Sequence, residues 1–206
     1  MRKTVCVMSL LIAVVALGTS SLCAEGMTFG FKGGLSLAKI TGSDVENAGW
    51  RTAGVGGLFL SYQVNNIFAI QPEMLYAMKG TTGEEGIVKL TMKLDYFEIP
   101  LLAKLYLPTE SKVKPNLYAG PAMAFKVSSK LKGEAGSLSA EADLEGIKST
   151  DFGIIVGAGM EYRLTSGCIL FDLRYTMGLI SIFDVADEAD VRNSAVSIMV
   201  GYGFAF

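Results

Sequence analysis

The residues of this sequence that could do chemistry are charged side chains recurring at alternate positions. Lys32, Glu73, Lys79, Glu98, Lys104, Lys126, Asp151, Glu161, Arg163, Asp172 and Arg174 each lie on a strand-like face opposite an apolar one. Acids and bases nearly balance in this set. Gathered inside a closed sheet, such groups could line a conducting path or hold a ligand. They could also fill and fix a narrow interior, where an unpaired charge is costly, and that structural role is the expected one. Lys32, Glu73, Glu98, Asp172 and Arg174 are expected near mid-height, with Arg174 centring an ion-pair cluster that includes Glu73 or Glu98.

Catalytic chemistry finds little support. No histidine occurs, which removes Ser-His and Cys-His catalysis and every His-containing metal site. The cysteines are Cys6, Cys23 and Cys168. The first two precede the expected mature chain, and a single remaining thiol builds no internal disulfide. Cys168 therefore reads as a small buried hydrophobe. The Glu84-Glu85 pair sits in a Gly-rich connection and reads as solvated charge. Asp184, Asp187, Glu188 and Asp190 form an acidic cluster. Hard cations want several oxygen ligands, but plain surface charge is the expectation there. Gly157-Ala158-Gly159 falls within a strand, so a phosphate-loop reading fails. No enzymatic activity, cofactor or metal is expected.

The elements that must position these charges follow from period-two alternation. Eight stretches have strand length and character: roughly 26–40, 50–64, 66–80, 91–107, 113–129, 147–164, 167–181 and 192–206. Connections alternate between long and polar (Thr41–Gly49, Thr81–Lys89, Lys130–Gly146, Ser181–Val191) and short (Val64 to Asn66, Leu164 to Gly167, with Pro108–Val113 intermediate). In an antiparallel chain this places every long loop at one end, the pattern of a transmembrane barrel. The apolar faces are free of charge: Phe152, Ile154, Val156, Ala158, Met160 and Tyr162 in one stretch, Ile169, Phe171, Leu173, Tyr175 and Met177 in the next. The opposite faces are rich in small residues such as Gly120, Ala122, Ala124, Gly153, Gly157 and Gly159, as a crowded interior requires. Aromatics near the apolar-face ends, Tyr62, Phe68, Phe97, Tyr162, Tyr202 and Phe206, suit interfacial girdles. In the fourth stretch Leu90, Met92 and Leu94 are out of phase with Phe97, Ile99 and Leu101, which predicts a β-bulge near Asp95 or a strand starting there.

Met1-Arg2-Lys3, an apolar run from Thr4 to Gly18 and small residues to Ala24 read as a signal peptide over 1–24. Residues 25–206 are then one barrel domain. Half of the residues are hydrophobic, with net charge -2 and no basic face, which argues against nucleic acid. The fold class expected is all-β: an eight-stranded antiparallel up-and-down transmembrane barrel in the outer membrane.

Several ordered motifs add a resemblance. They are Lys32-Gly33-Gly34-Leu35-Ser36-Leu37, Gln71-Pro72-Glu73-Met74-Leu75-Tyr76 with Lys79-Gly80, and Tyr96-Phe97-Glu98-Ile99-Pro100-Leu101-Leu102. Leu117-Tyr118-Ala119-Gly120-Pro121, Gly157-Ala158-Gly159-Met160-Glu161-Tyr162, Leu173-Arg174-Tyr175 and Gly178-Leu179 follow. This succession resembles the porin-family (PorT-like) outer-membrane β-barrel domain of Gram-negative bacteria, over essentially the whole mature chain. The resemblance implies an eight-stranded barrel without a defined activity. Tyr202, Phe204 and Phe206 resemble the signal read by the barrel assembly machinery, the expected partner besides outer-membrane lipid. No surface ligand is assigned. The expected role is structural, surface-interactive or small-solute passage. The rival is a soluble exported lipocalin-like binder, which needs an apolar interior and a polar exterior.

Overall fold

Alternating residues can share one face only in extended backbone, so each period-two stretch becomes a strand. The computed structural model describes residues 26–42, 48–85, 88–136, 138–183 and 191–206. The expected signal peptide and the acidic cluster at 184–190 lie outside these residues. The strands are β1 (Met27–Gly42), β2 (Arg51–Gln63), β3 (Phe68–Glu85), β4 (Val88–Tyr106), β5 (Val113–Ala135), β6 (Leu138–Asp143), β7 (Thr150–Leu164), β8 (Gly167–Gly178) and β9 (Val191–Ala205). Eight of them, all but β6, pair with their neighbours around a ring. The β4–β5 and β1–β9 antiparallel ladders complete it. The fold is the expected closed all-β barrel.

Short connections gather at one end. In the β2–β3 turn the Asn65 side-chain oxygen accepts hydrogen bonds from the backbone N–H of Ile67 (3.0 Å) and Phe68 (2.9 Å). That self-capping is why asparagine suits so tight a turn.

At the other end the structure departs from expectation. Thr81–Lys89 and Lys130–Gly146 are not simply loops. β3 continues to Glu85 and β4 begins at Val88, so Thr81–Glu85 pair with Val88–Met92. β5 continues to Ala135, and β6 pairs with Lys130–Ala135 on its far side. The result is a four-stranded wing rising from the rim. In its two central strands Lys89, Lys93, Lys130 and Lys132 take the face that is apolar in the barrel below, so the segment does not continue the membrane pattern and its sequence resembles loop.

The wing also explains the irregular fourth stretch. β4 runs without a break, and its even residues from Leu94 to Tyr106 all point inward and are buried. The ladder shift falls across Asp95/Tyr96 with Val127 as the extra residue, so the bulge lies on β5 rather than β4. Leu94 keeps phase with Glu98 because the interior changes chemistry near the rim. There Leu94 and Tyr96 join Ile40, Ala124, Ile147, Ile182 and Val191 in an apolar cap.

Candidate functional site

The inward faces bring the predicted charges together, at three levels. At the level nearest the short turns, the Lys104 ammonium meets Glu161 at 2.6 Å and donates to Gln71 Oε1 at 3.1 Å. The Tyr106 hydroxyl also donates to Glu161, at 2.9 Å. The Gln71 amide donates to Glu73 Oε1 at 2.6 Å, linking this level to the next.

The middle level is a four-charge lattice. Arg174 Nη1 lies 2.8 Å from Glu73 Oε2, while its Nε and Nη2 lie 3.0 and 2.9 Å from the two Asp172 oxygens. Lys32 bridges the same two acids, at 2.6 Å to Glu73 and 3.0 Å to Asp172. The Tyr118 hydroxyl donates to Asp172 at 2.5 Å. Two cations and two anions thus neutralise one another. Lys32, Glu73 and Arg174 are each under 5% exposed.

Glu98 is not part of that lattice. It pairs with Lys79 at 2.5 Å, one level nearer the wing. The β3–β4 register sets this, because it places Glu98 opposite Leu75 rather than opposite Glu73. Asp151 accepts from Asn193 Nδ2 at 2.8 Å in the same upper region, and Lys126 donates to the Ile147 carbonyl at 2.6 Å. Arg163 is exposed at the short-turn rim and donates to Gln63 at 3.2 Å.

Inward aromatics are the residues that sequence reasoning missed. Lys32 lies 6.0 Å from the Phe59 ring centroid, and Lys79, Lys104 and Arg174 lie 5.5 Å from those of Tyr96, Tyr106 and Tyr118. Each of these cations has both a carboxylate and an aromatic face, which compensates part of its lost hydration. Strand phase could have revealed them, since Tyr96 and Tyr106 share the face of Glu98 and Lys104. Gly157 shows why the interior needs small residues. It stands between Tyr118 and Arg174 in the ladders, and a side chain there would strike the Tyr118 ring.

Outside, the surface inverts. Leu35, Leu58, Met74, Leu101, Leu117, Val156, Leu173 and Ile198 are exposed around the middle. Tyr76, Phe97 and Phe125 form one cross-strand belt above them. Tyr162, Ile169, Tyr202 and Phe31 form a row below. From Phe97 to Leu105 the chain covers about 27 Å of strand. At the usual barrel tilt of about 35–45° that strand rises about 20 Å, which lies within an apolar band of about 25 Å. Tyr202 and Phe204 stack edge-to-face, centroids 4.9 Å apart, and Phe204 and Phe206 are exposed.

The structure thus has a charged interior inside an apolar exterior, and the model of the outer membrane protein beta-barrel domain family matches residues 21–184. The chain belongs to that family. It is an outer-membrane β-barrel protein, and lipid surrounds its apolar belt. The lipocalin-like alternative is not favoured. Similar solved structures include neisserial surface protein A, 18% identical with TM-score 0.48, covering 88% of this chain and 100% of that one. The attachment invasion locus protein Ail of Yersinia pestis is 16% identical with TM-score 0.46, covering 87% of this chain and 99% of that one. OprG of Pseudomonas aeruginosa is 13% identical with TM-score 0.46, covering 88% and 97%. No curated protein sequence matches significantly.

On the barrel's wing, Glu141 carries the clearest titration. Hydrogen bonds from Lys93 (2.6 Å) and Lys130 (3.0 Å) push its carboxyl down to about 2. A depressed carboxyl stabilises the fold above its unfolded value, and that contribution is lost as pH falls. The wing should therefore loosen between the ordinary carboxylate range and about pH 2. Amide exchange at 138–143 should rise over that window with the barrel strands unchanged. Unaltered exchange would show that these pairs do not hold β6.

Proposed function

We propose that this outer-membrane barrel is a closed, non-enzymatic protein that works through its loops and wing at the cell surface. The observation that supports this reading is the filled interior, with three levels of paired charges beneath an apolar cap. Eight strands enclose a space that side chains just fill. The absence of histidine and the burial of Cys168 beside Phe59 and Leu170 support the non-enzymatic part. Passage of small solutes is the second reading. It is favoured by the continuous polar chain from Glu161 through Gln71 and Glu73 to Arg174 and Asp172.

Planar-bilayer recording of the purified protein tests the choice. The expected result is stable insertion without conductance steps. Reproducible steps that change in Arg174→Ala would overturn the closed-interior reading.

The motif succession supports membership of the PorT-like porin branch. Residues 1–24 are read as a signal peptide and 25–206 as the barrel domain delivered to the barrel assembly machinery. Tyr202, Phe204 and Phe206 are the residues assigned to that recognition, on the strength of a terminal aromatic row in which Phe204 and Phe206 are exposed and Tyr202 is half-buried. Removing Phe206 should lower the yield of assembled protein in the outer membrane, and normal yield would sink that assignment.

A further inference from the structure

Where β2 enters the barrel, a cleft of about 680 Å3 opens against the outer side of the wing. Trp50, Arg51, Lys89, Lys93, Lys132 and Glu134 contribute to its lining, four cations against one carboxylate. Lys39 adds a further positive charge, its ammonium 5.0 Å from the Trp50 ring centroid. The strand register fixes where this cleft lies. On β4 the outward residues change from Leu101, Ile99 and Phe97 to Asp95, Lys93, Thr91 and Lys89. On β5 Val127 is the extra residue that carries Lys130 and Lys132 to the same outer side. The basic face therefore continues the lipid-facing surface upward, and Lys93 stands about 13 Å of strand beyond Phe97 in the aromatic belt. That height is the headgroup layer just outside the hydrocarbon.

We infer that this cleft binds the phosphorylated headgroup of an outer-leaflet glycolipid. The inference rests on the surface role proposed above, with the wing outside the cell. Phosphate is the fitting ligand because several ammonium and guanidinium donors converge on one cleft. The resident carboxylates do not block it. Lys132–Glu134 at 2.7 Å and Lys93–Glu141 at 2.6 Å are partly exposed pairs. Such pairs hold weakly, so a doubly charged phosphate can take over their lysines. Trp50 supplies an amphipathic ring of the kind found at membrane interfaces.

Trp50 is the only tryptophan, so its emission reports the cleft directly. The full-length purified protein in phosphatidylcholine bicelles is titrated with bisphosphorylated lipid A, dephosphorylated lipid A and inorganic phosphate. A saturable emission change is expected with the bisphosphorylated lipid, and about tenfold weaker binding with the dephosphorylated one. The K89Q/K93Q/K132Q variant should lose about as much while keeping the folded barrel's gel mobility. Equal response to both lipids, saturation by inorganic phosphate at the same concentration, or an unaffected variant would overturn the assignment. Orientation is read separately by labelling Ser139→Cys on intact cells with an impermeant maleimide. Unlabelled cells would overturn the surface reading itself, whereas labelled cells without lipid discrimination would overturn the cleft alone.

Discussion

Arg174→Met is expected to destabilise the folded barrel by about 3–5 kcal/mol, the cost of breaking a buried pair by removing one partner. The guanidinium neutralises Glu73 and Asp172 together, and Lys32 alone then faces both acids. No water-accessible surface compensates, since Glu73 is 3% exposed. Urea unfolding in lipid vesicles, followed by the mobility difference between folded and unfolded barrel, measures the loss. Glu73→Gln in the same background should recover part of it, because it removes one of the uncompensated charges. A non-additivity of about 0.5–3 kcal/mol between the two substitutions is the expected signature of direct coupling. The result discriminates between the two functional readings. In a hydrated lumen these charges would behave like exposed pairs, worth about 0–1 kcal/mol. A loss that small would mean the interior is wet, and solute passage would become the better account.

How much of this was legible beforehand depended on what local alternation can encode. The outer face was legible residue by residue from Phe152 to Tyr162 and from Ile169 to Met177, because lipid tolerates no charge there and the pattern is clean. The meeting of Arg174 with Glu73 was legible too, from strand phase and approximate height. Glu98 was misplaced because height also depends on the stagger between neighbouring strands, and alternation within one strand carries no information about stagger. Stagger puts Glu98 beside Lys79. The wing was hidden for a related reason. Lys89, Lys93, Lys130 and Lys132 stand in strands that water wets, so no membrane face disciplines their sequence. Their strand character comes from pairing across β3 to β6, which is a property of four segments together.

Leu173→Arg should cost the assembled barrel about 2–4 kcal/mol, whereas Ile169→Arg on the same strand face should cost about 0–1. Leu173 lies midway along β8 with its side chain 52% exposed, in register with Ala158 and Ile198. Its outward neighbours are Phe171 and Tyr175, so a charge there has hydrocarbon on every side. Ile169 sits in the lower aromatic row between Tyr162 and Tyr202, where an arginine can extend to the interface. Urea unfolding in vesicles gives both costs, and the yield of each variant in the outer-membrane fraction should follow the same order. The gradient carries the meaning, because both sites lie on the same outward face of β8, Leu173 52% and Ile169 36% exposed. A water-facing surface would accept either arginine within about 0.5 kcal/mol, and equal small costs would remove lipid from the outside of this barrel. A steep fall from Leu173 to Ile169 has one physical source, the dielectric profile of a bilayer. It would fix the height of the membrane against β8 and, through the ladders, the height at which Lys93 and Trp50 stand above it.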